Sequence, residues 1–200
     1  MCFYFHQSKS AVEIAQRYNI HNTTQLQISL GIYNGFLFPL ITTIHQQNSQ
    51  PTLQQMQWGL IPDWAKNKEI QKNTLNARWE TIHEKPSFKY YTQNRCIIPA
   101  TGFYEWQWLD PKGKHKQKYN IQCSHNELFS IAGIWNIWQY NNQPIYTCSI
   151  ITIPANSLMA TIHNTKKRMP FILDINQESD WLTGKQIIPK DIELTAHTCM

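Results

Sequence analysis

The sequence lacks the features of a membrane, secreted or disulfide-bonded protein. No stretch approaches the roughly 18 consecutive apolar residues of a membrane-spanning helix. The amino terminus has no basic segment followed by an apolar stretch and a small-residue cleavage site. The five cysteines are scattered and include no Cys-x-x-Cys pair, so neither a disulfide framework nor a zinc site is indicated. We therefore expect a cytoplasmic protein that needs no metal and no other cofactor.

Charged residues are also few, at 16% of the chain, whereas 42% of the residues are hydrophobic, which argues against a disordered protein. Eight Trp, nine Tyr and eight Phe are enough to build a sizeable core. The 200 residues are about 1.3 times a nominal 150-residue domain, and no Pro/Gly/Ser-rich linker divides them. The sequence predicts one domain over residues 1–200.

Charge is unevenly distributed along the chain. The net charge is +5, but residues 174–200 hold five of the 13 acidic residues and two of the 18 basic ones. A basic body is thus followed by an acidic tail from about residue 174. This balance is compatible with an anionic partner such as nucleic acid, although many proteins of similar charge bind none.

Residue patterns predict an α+β fold in which strands dominate, arranged as an antiparallel meander or barrel-like sheets. β-Branched and aromatic residues, separated by turn signals, predict strands at 95–108, 117–123, 128–135, 145–153 and 168–173. Ser10 and Glu13 form a capping-box pattern that predicts a short helix near the start. Further short helices are predicted at 78–85, 156–162 and 178–182.

Cys2 has the most distinctive chemistry. A side chain this small at position 2 normally permits removal of the initiator Met, which would make Cys2 the amino-terminal residue. Its α-amino group, with an ordinary pKa of about 7.7–8.0, and its thiol, at about 8.5, would then both be partly available near neutral pH. With an aldehyde, the amine forms a Schiff base and the thiol closes a thiazolidine. The plain alternative is a small residue without a chemical role.

Three further polar residues are candidates for the same chemistry. Glu105 lies in an aromatic strand, where burial would raise its pKa and let it exchange protons; a surface charge on an edge strand is the alternative. His163 follows the helix predicted at 156–162 and precedes three cations that can lower its pKa, although a histidine there is more often a cap. Asn76 either caps the helix predicted after it or hydrogen-bonds a ligand.

Other residues suit contact with single-stranded nucleic acid. Arginine binds phosphate in a bidentate manner, and Arg78 is one of four arginines. Lysines alternate from Lys112 to Lys118, which on a strand places them on one face, although such a run is more often a solvated hairpin. Candidate stacking platforms for unpaired bases are Trp58, Trp64, Trp79 and Trp106.

These features occur together in blocks that resemble the SRAP family, named for SOS response-associated peptidases. The blocks are Met1-Cys2, Trp58-Gly-Leu-Ile-Pro-Asp-Trp64, Leu75-Asn-Ala-Arg-Trp-Glu-Thr81, Arg95-Cys-Ile-Ile-Pro-Ala-Thr-Gly-Phe-Tyr-Glu-Trp106, Ala132-Gly-Ile-Trp135 and Ile162-His163 through Arg168-Met-Pro170. Members of this family shield abasic sites in single-stranded DNA by covalent attachment. The resemblance implies a β-rich domain with a basic groove for single-stranded DNA, in the bacterial cytoplasm or associated with the nucleoid.

The resemblance also implies roles for individual residues. Cys2 is the implied nucleophile, Asn76 a polar group beside it, Glu105 the acid/base, and His163 the group that assists formation and reversal of the Schiff base. The implied DNA contacts are phosphate binding by Arg78 and Arg168 and a DNA path lined by Trp64 and Trp106.

The chain departs from the family at the residues after Cys2. Family members often continue Met-Cys with Gly-Arg, whereas this chain has Phe3-Tyr4, so an arginine near the nucleophile is missing. Lys166 and Lys167 are the predicted substitutes for that charge. They lie in a stretch longer than the short His-to-Arg spacing usual in the family.

One function is favoured and two alternatives remain. The favoured function is a monomeric sensor of abasic sites in single-stranded DNA, which shields them by a thiazolidine crosslink to Cys2 after removal of Met1 and has associated lyase activity. The second is a cysteine-type peptidase that uses the same residues. In its narrowest form it cleaves only the protein's own Met1-Cys2 bond. The third is a non-covalent module that binds single-stranded DNA, in which Cys2 is incidental.

Overall fold

The computed structural model describes residues 2–21, 27–125 and 127–199, and its secondary structure is mostly β. This part of the chain forms thirteen strands. They are β1 Tyr4–Gln7, β2 Gly31–Asn34, β3 Leu40–Gln47, β4 Gln50–Trp58, β5 Asn76–Arg78, β6 Arg95–Ala100, β7 Gly102–Trp108, β8 Lys116–Cys123, β9 Phe129–Tyr140, β10 Gln143–Pro154, β11 Arg168–Pro170, β12 Ile172–Leu173 and β13 Leu194–Thr198.

The helices within the described residues are short. They are α1 Ala11–Arg17, α2 Ser157–Ile162 and α3 Glu178–Leu182, with 3-10 turns at Gly35–Leu37, Lys68–Asn73, Trp79–Thr81 and Ile175–Gln177. None of the helices in this part of the chain is long and apolar enough to cross a membrane. The predicted α+β class, with strands dominant, is confirmed.

Five strands form an antiparallel sheet in the order β13-β8-β7-β1-β2. β7 lies at its centre, between β8 and β1. The carboxy-terminal strand β13 pairs with β8 from Leu194 opposite Cys123 to Thr198 opposite Tyr119. The last part of the acidic tail therefore belongs to the sheet that contains β7.

The second sheet closes into a barrel. β10, β4, β3, β6 and β9 follow one another, and β9 pairs back with β10. β5, β11 and β12 extend this barrel by pairing with β10 or β9. The predicted barrel-like sheet is confirmed. The parallel pairs of β10 with β4 and β5 join distant segments, and local sequence patterns do not predict them.

Trp58 connects the barrel to the segment around Cys2. Its ring is fully buried and packs on Gly35, where an added Cβ would lie 3.1 Å from the ring. The indole N–H donates to the carbonyl oxygen of Leu75 at 2.8 Å. The N–H of Gly35 in turn donates to the carbonyl oxygen of Phe3 at 2.9 Å. These contacts fix the start of β1 relative to the start of β5.

The capped helices form as predicted. The Ser10 hydroxyl accepts a hydrogen bond from the Glu13 N–H, and the Glu13 carboxylate accepts one from the Ser10 N–H, so α1 begins with a complete capping box. The Asn156 side chain accepts from the N–H of Met159 at 3.0 Å and begins α2. α3 has the predicted bounds, and Gly184 follows it with a φ of +82°.

The helix predicted over residues 78–85 is wrong. Asn76–Arg78 instead pairs in parallel with β10, with Asn76 opposite Ile150. A 3-10 turn at Trp79–Thr81 is what remains of the helical pattern. Pairing with a strand more than 70 residues away in sequence outweighs the local preference here.

The single strand predicted over residues 95–108 is also wrong, because the chain changes sheets at Thr101. The N–H of Thr101 donates to the carbonyl oxygen of His6 at 2.8 Å, and its hydroxyl contacts the same residue. β6 before it lies in the barrel, and β7 after it lies in the five-stranded sheet. The strand predicted at 168–173 similarly divides into β11 and β12 on either side of Phe171.

His45 in β3 generates a prediction about acid stability. It is 4% exposed, its ring packs 4.8 Å from that of Trp135, and neither ring nitrogen has a hydrogen-bond partner among the described residues. Burial lowers the pKa of His45 from 6.5 to about 4. Between these two pH values the unfolded chain binds a proton at His45 that the folded chain does not. The contribution of His45 to the free energy of unfolding is therefore fully present above pH 6.5 and is lost as the pH drops toward 4.

We expect His45→Phe to remove this part of the pH dependence. Urea unfolding measures the free energy of unfolding at pH 7.5 and at pH 4.5. Between the first pH and the second, wild type should lose about 2 kcal/mol more of it than the variant does. His21→Gln, at an exposed position, is the matched control and should behave like wild type. Equal losses in His45→Phe and wild type would contradict the prediction.

Candidate functional site

Strand β7 carries Glu105 into the interior. Alternation along the strand places Glu105 on the same face as the fully buried Phe103, and Glu105 itself is 6% exposed. The alternative of a surface charge is excluded. Burial raises the pKa of the Glu105 carboxyl from 4.5 to about 7, so both of its protonation states are populated near neutral pH.

His163 reaches Glu105 from the end of α2. Its backbone N–H donates to the carbonyl oxygen of Met159 at 2.7 Å. Its Nδ1 lies 3.9 Å from Oε1 of Glu105 and 2.8 Å from the carbonyl oxygen of Arg168. An Nδ1–H that donates to this carbonyl leaves Nε2 as a proton acceptor in the neutral ring. Burial lowers the pKa of His163, and the charges of Arg168 and Lys166 lower it further, so the ring is neutral at pH 7.

Cys2 is buried just before β1, close enough to Glu105 to interact electrostatically. Its Sγ lies 3.7 Å from the carbonyl oxygen of Tyr4. Burial, together with the negative charge of Glu105, raises the pKa of the Cys2 thiol from 9.0 to about 12. The thiol therefore stays protonated at neutral pH unless a base removes its proton. The structure brings Cys2, Glu105 and His163 together from three separate segments of the chain.

Asn76 lies on β5 and has an unused amide. Both its Oδ1 and its Nδ2 are buried without a hydrogen-bond partner among the described residues. Asn76 directly follows Leu75, whose carbonyl oxygen is held by Trp58 in the contact network that leads to Phe3. A buried amide without a partner is costly and suits a group that arrives with a ligand. No hydrogen bond in the described part of the chain joins Asn76 to Glu105 or His163.

A cavity of about 360 Å³ opens beside Glu105 and His163, and neither Cys2 nor Asn76 is among its described lining residues. It is lined by Phe3, Tyr4, Phe36, Glu105, Trp106, Trp108, Lys116, His163 and Thr165. Aromatic contacts shape one wall: the ring centres of Phe3 and Phe36 are 4.7 Å apart, and those of Tyr4 and Trp106 are 5.1 Å apart. Lys116 is the one cation among the described lining residues. No sequence pattern singled out Phe36. Lys116 belongs to the run of alternating lysines, which is more often a solvated hairpin but was a usable signal for this site.

Five of the six residues expected to contact DNA lie at the cavity or at the surface, and the sixth, Arg168, is buried. Trp106 lines the cavity, and Trp64, Arg78, Lys166 and Lys167 are exposed at the surface, Trp64 by 54%. Neither lysine is among the described residues that line the cavity. Their contacts with DNA stay predictions.

Arg168 differs from the other five because its guanidinium makes hydrogen bonds inside the protein. The residue is 6% exposed. Both terminal nitrogens donate to the Glu80 carboxylate, and Nη2 also donates to the carbonyl oxygen of Thr152 at 2.6 Å. Its role in the structure is to join β11, β10 and the turn at Trp79–Thr81. A phosphate contact by Arg168 is a prediction that would require this group to serve two partners.

Comparison with known proteins adds to this geometry. A family model described as SOS response associated peptidase (SRAP) matches residues 1–199. The chain belongs to the SRAP family. The predicted resemblance is thus confirmed over nearly the whole chain.

Among the described residues no group of three His, Cys, Asp or Glu side chains is placed to hold a metal ion.

Relatives of this SRAP chain are found in bacteria and vertebrates. It is 45% identical over 151 residues to the abasic site processing protein YoqW of Bacillus subtilis (strain 168), a match that covers 74% of this chain and 65% of YoqW. It is 34% identical over 166 residues to the abasic site processing protein HMCES of Gallus gallus, which covers 70% and 48% of the two chains. The chain spans just under two thirds of the length of YoqW and about half that of HMCES.

A solved structure also shares the SRAP fold. A crystal structure of a protein from Bacteroides thetaiotaomicron superposes with a TM-score of 0.87 at 34% sequence identity. The match covers 100% of this chain and 92% of that protein. The barrel and the five-stranded sheet are therefore an arrangement that an experimentally determined structure shares.

The buried Glu105 generates a prediction about stability at alkaline pH. Because its folded pKa is raised, its contribution to stability is complete below pH 4.5 and is lost as the pH rises through 7. Glu105→Gln stays neutral, so we expect it to be more stable than wild type by roughly 1–3 kcal/mol at pH 8 and to differ little at pH 4.5. Urea unfolding of chains whose intact mass shows that Met1 is retained measures this difference.

The matched control for this measurement is Glu84→Gln, which changes an exposed carboxylate. It should show no pH-dependent gain. A gain for Glu105→Gln that is equal at both pH values would mean that Glu105 does not titrate as a buried acid.

Proposed function

We propose that this protein captures abasic sites in single-stranded DNA by forming a covalent bond to Cys2. The observation that carries the proposal is a buried Cys2 beside a carboxyl with a pKa of about 7, with a neutral His163 3.9 Å from that carboxyl at an aromatic cavity. Membership of the SRAP family and similarity to proteins named for abasic site processing support the same reading.

The reaction begins with the amine of Cys2 after Met1 has been removed. The neutral amine adds to the C1′ aldehyde of the ring-opened deoxyribose, and its proton passes to the carbinolamine oxygen through Glu105 or His163. Loss of this oxygen as water gives a Schiff base. A carboxyl that is half protonated near neutral pH can both donate and accept in these steps.

The thiol of Cys2 then closes the ring. Sulfur adds to the C1′ carbon of the Schiff base, the C=N π electrons pass to nitrogen, and the thiol proton ends on that nitrogen, so a neutral thiazolidine forms. With a thiol pKa of about 12, the sulfur is a poor first nucleophile, and the order of amine before thiol follows. The unpartnered amide of Asn76 suits a hydrogen bond to the new amino terminus or to a sugar hydroxyl.

The Schiff base also permits abasic-site lyase activity. The positive iminium makes the hydrogens on C2′ acidic, so that a base can remove one while the 3′ phosphate leaves. Closure of the thiazolidine removes the iminium and thereby opposes strand cleavage. Lyase cleavage is thus the competing outcome whenever the thiol is slow or absent.

The cysteine-peptidase alternative fits the site less well. A peptidase cysteine needs a lowered pKa so that a thiolate is present to attack a peptide carbonyl. Here burial and Glu105 act in the opposite direction on the pKa of Cys2. Chemistry that begins with an amine agrees with this environment, and chemistry that begins with a thiolate does not.

The DNA backbone is proposed to follow β8. Lys116 and Lys118 lie opposite Trp108 and Trp106 in the register of β7 and β8. Their Nζ atoms lie 5.0 Å from the ring centre of Trp108 and 4.3 Å from that of Tyr104, respectively. These lysines, held over aromatic rings, supply the charge that the missing arginine at position 4 would give. Lys116 lines the cavity, whereas the predicted Lys166 and Lys167 are not among its described lining residues.

Denaturing gel electrophoresis tests the covalent step. Wild-type protein, mixed with a single-stranded oligonucleotide that carries one abasic site, should give a heat-stable shifted band, and an intact oligonucleotide should give none. Cys2→Ala should lose this band because it has no thiol to close the ring. It should still be trapped by sodium borohydride, because its terminal amine can form the Schiff base.

Two results would contradict the covalent proposal. One is the absence of a heat-stable band with wild-type protein whose Met1 is shown by mass to be absent. The other is a band of equal intensity with Cys2→Ala. The first would leave the non-covalent module, whose affinity for DNA falls with salt and ignores Cys2.

Salt dependence tests the path along β8. Lys116→Ala and Lys118→Ala should each reduce the slope of log affinity against log salt by about 0.7 for single-stranded DNA, because each removes one phosphate contact. Binding of an intact oligonucleotide, followed by fluorescence anisotropy, measures the slope. At saturating DNA and low salt both variants should still form the heat-stable band.

Lys112→Ala is the matched control because Lys112 belongs to the same lysine run, lies in the turn before β8 and does not line the described cavity. It should keep the wild-type slope. Equal slopes for all three variants and wild type would place the phosphate path elsewhere on the surface.

A further inference from the structure

The side chain of Asn164 binds the exposed edge of β7 in the way that a neighbouring strand would. Its Oδ1 accepts from the backbone N–H of Trp108 at 3.1 Å, and its Nδ2 donates to the carbonyl oxygen of the same residue at 2.9 Å. On this edge β1 pairs with Gly102 and Phe103, at the other end of β7. The amide therefore satisfies backbone groups that no strand covers at Trp108 in the described part of the chain.

A second contact ties the same two segments together. Nε2 of Gln107 donates to the carbonyl oxygen of Thr161 at 3.2 Å, and Oε1 of Gln107 accepts from the Tyr119 hydroxyl at 3.1 Å. Thr161 and Asn164 stand on either side of His163. Consecutive residues of β7 are thus bound to both flanks of the histidine.

Arg168 and Lys167 hold His163 by hydrogen bonds that do not involve β7. Nδ1 of His163 lies 2.8 Å from the carbonyl oxygen and 3.3 Å from the backbone nitrogen of Arg168. The N–H of Lys167 donates to the carbonyl oxygen of His163 at 2.8 Å. These bonds set the ring relative to its own loop. They do not set the loop relative to Glu105, which lies on β7. Asn164 and Gln107 make hydrogen bonds that set this second relationship.

We propose that Asn164 is a positioning residue that holds His163 against Glu105 by clasping the backbone of Trp108. The inference rests on the proposed function, because it assigns Asn164 to the proton transfers at Glu105 and His163. Without the clasp, the segment after α2 can lift from β7 and admit water to the buried carboxyl. The geometry then loosens although Cys2, Glu105 and His163 are all present.

The clasp also controls the environment in which Glu105 titrates. Among the described residues, the titratable and charged groups around Glu105 are Cys2 before β1, His163 after α2, and Lys116 and Tyr119 on β8. The charge of the amino terminus also acts on this carboxyl and lowers its pKa. Burial is the main reason that the pKa of Glu105 is raised. Solvent entry on loss of the clasp moves this pKa back toward 4.5.

Asn164→Ala tests the proposal in single-turnover crosslinking with the abasic oligonucleotide. We expect the rate at saturating DNA to fall about tenfold, while the affinity for an intact oligonucleotide changes less than twofold. The limb of the pH–rate profile that belongs to Glu105 should move to lower pH. Asn164→Asp keeps the acceptor for the Trp108 N–H and loses the donor, so its rate should lie between those of wild type and Asn164→Ala.

Thr161→Ala is the matched control. Its hydroxyl bonds to Ser157 within α2, and the substitution leaves the carbonyl oxygen that Gln107 uses. This variant should keep the wild-type rate and pH profile. If Asn164→Ala does not fold, Gln107→Met removes the second tie and should lower the rate and shift the same limb in the same direction, by a smaller amount.

A readout without DNA separates this inference from the proposed function. In the Asn164→Ala background, the gain in stability from Glu105→Gln between pH 4.5 and pH 8 should shrink to less than half. A full gain, or an unchanged rate and pH limb in folded Asn164→Ala, would overturn the positioning role. A wild-type protein that forms no crosslink would overturn the proposed function, and the stability measurement would still decide the clasp.

Discussion

The arrangement of the site depends on the buried guanidinium of Arg168. An arginine inside a protein is tolerated when its charge is paired and its donors are used. Here its two terminal nitrogens donate to Glu80 and Thr152, which joins β11, β10 and the turn at Trp79–Thr81. The carbonyl oxygen of the same residue lies against Nδ1 of His163. One ion pair thereby fixes three segments and orients the imidazole that faces Glu105.

The change of sheet at Thr101 is the second constraint. β6 is held in the closed barrel, whereas β7 continues into the five-stranded sheet, so the chain carries Glu105 from one layer to the other. The start of β1 is tied back to the barrel through Phe3, Gly35 and Trp58. The cavity lies between these two anchored segments, which supply part of its walls.

Burial shifts the pKa values of Glu105 and Cys2 in directions that suit the proposed aldehyde substrate. The same desolvation that raises the pKa of Glu105 into the neutral range also suppresses ionisation of the Cys2 thiol. A terminal amine keeps its nucleophilic power as a neutral group, whereas a thiol in this environment must give up its proton to react. This environment agrees with the proposed order, in which the amine reacts first and the thiol closes the ring second.

The local features of this chain were readable from its sequence because they depend on near neighbours. The capping box at Ser10, the cap at Asn156 and the unusual carboxyl in an aromatic strand all follow from spacing along a few residues. The motif blocks were sufficient to indicate the family. Sequence could not decide whether Glu105 is buried, because one strand pattern fits both an edge and a centre.

Tertiary structure decided the relations between distant segments. The parallel pairing of Asn76–Arg78 with β10 replaced a predicted helix, and the Glu80 pair withdrew Arg168 from the surface. Lys116 gained a place at the cavity because β8 lies beside β7. Sequence alone determined which chemical groups the protein has and where the capped helices α1 and α2 begin. Pairing between distant strands, in both the barrel and the five-stranded sheet, determined which groups meet, because no local pattern encodes it.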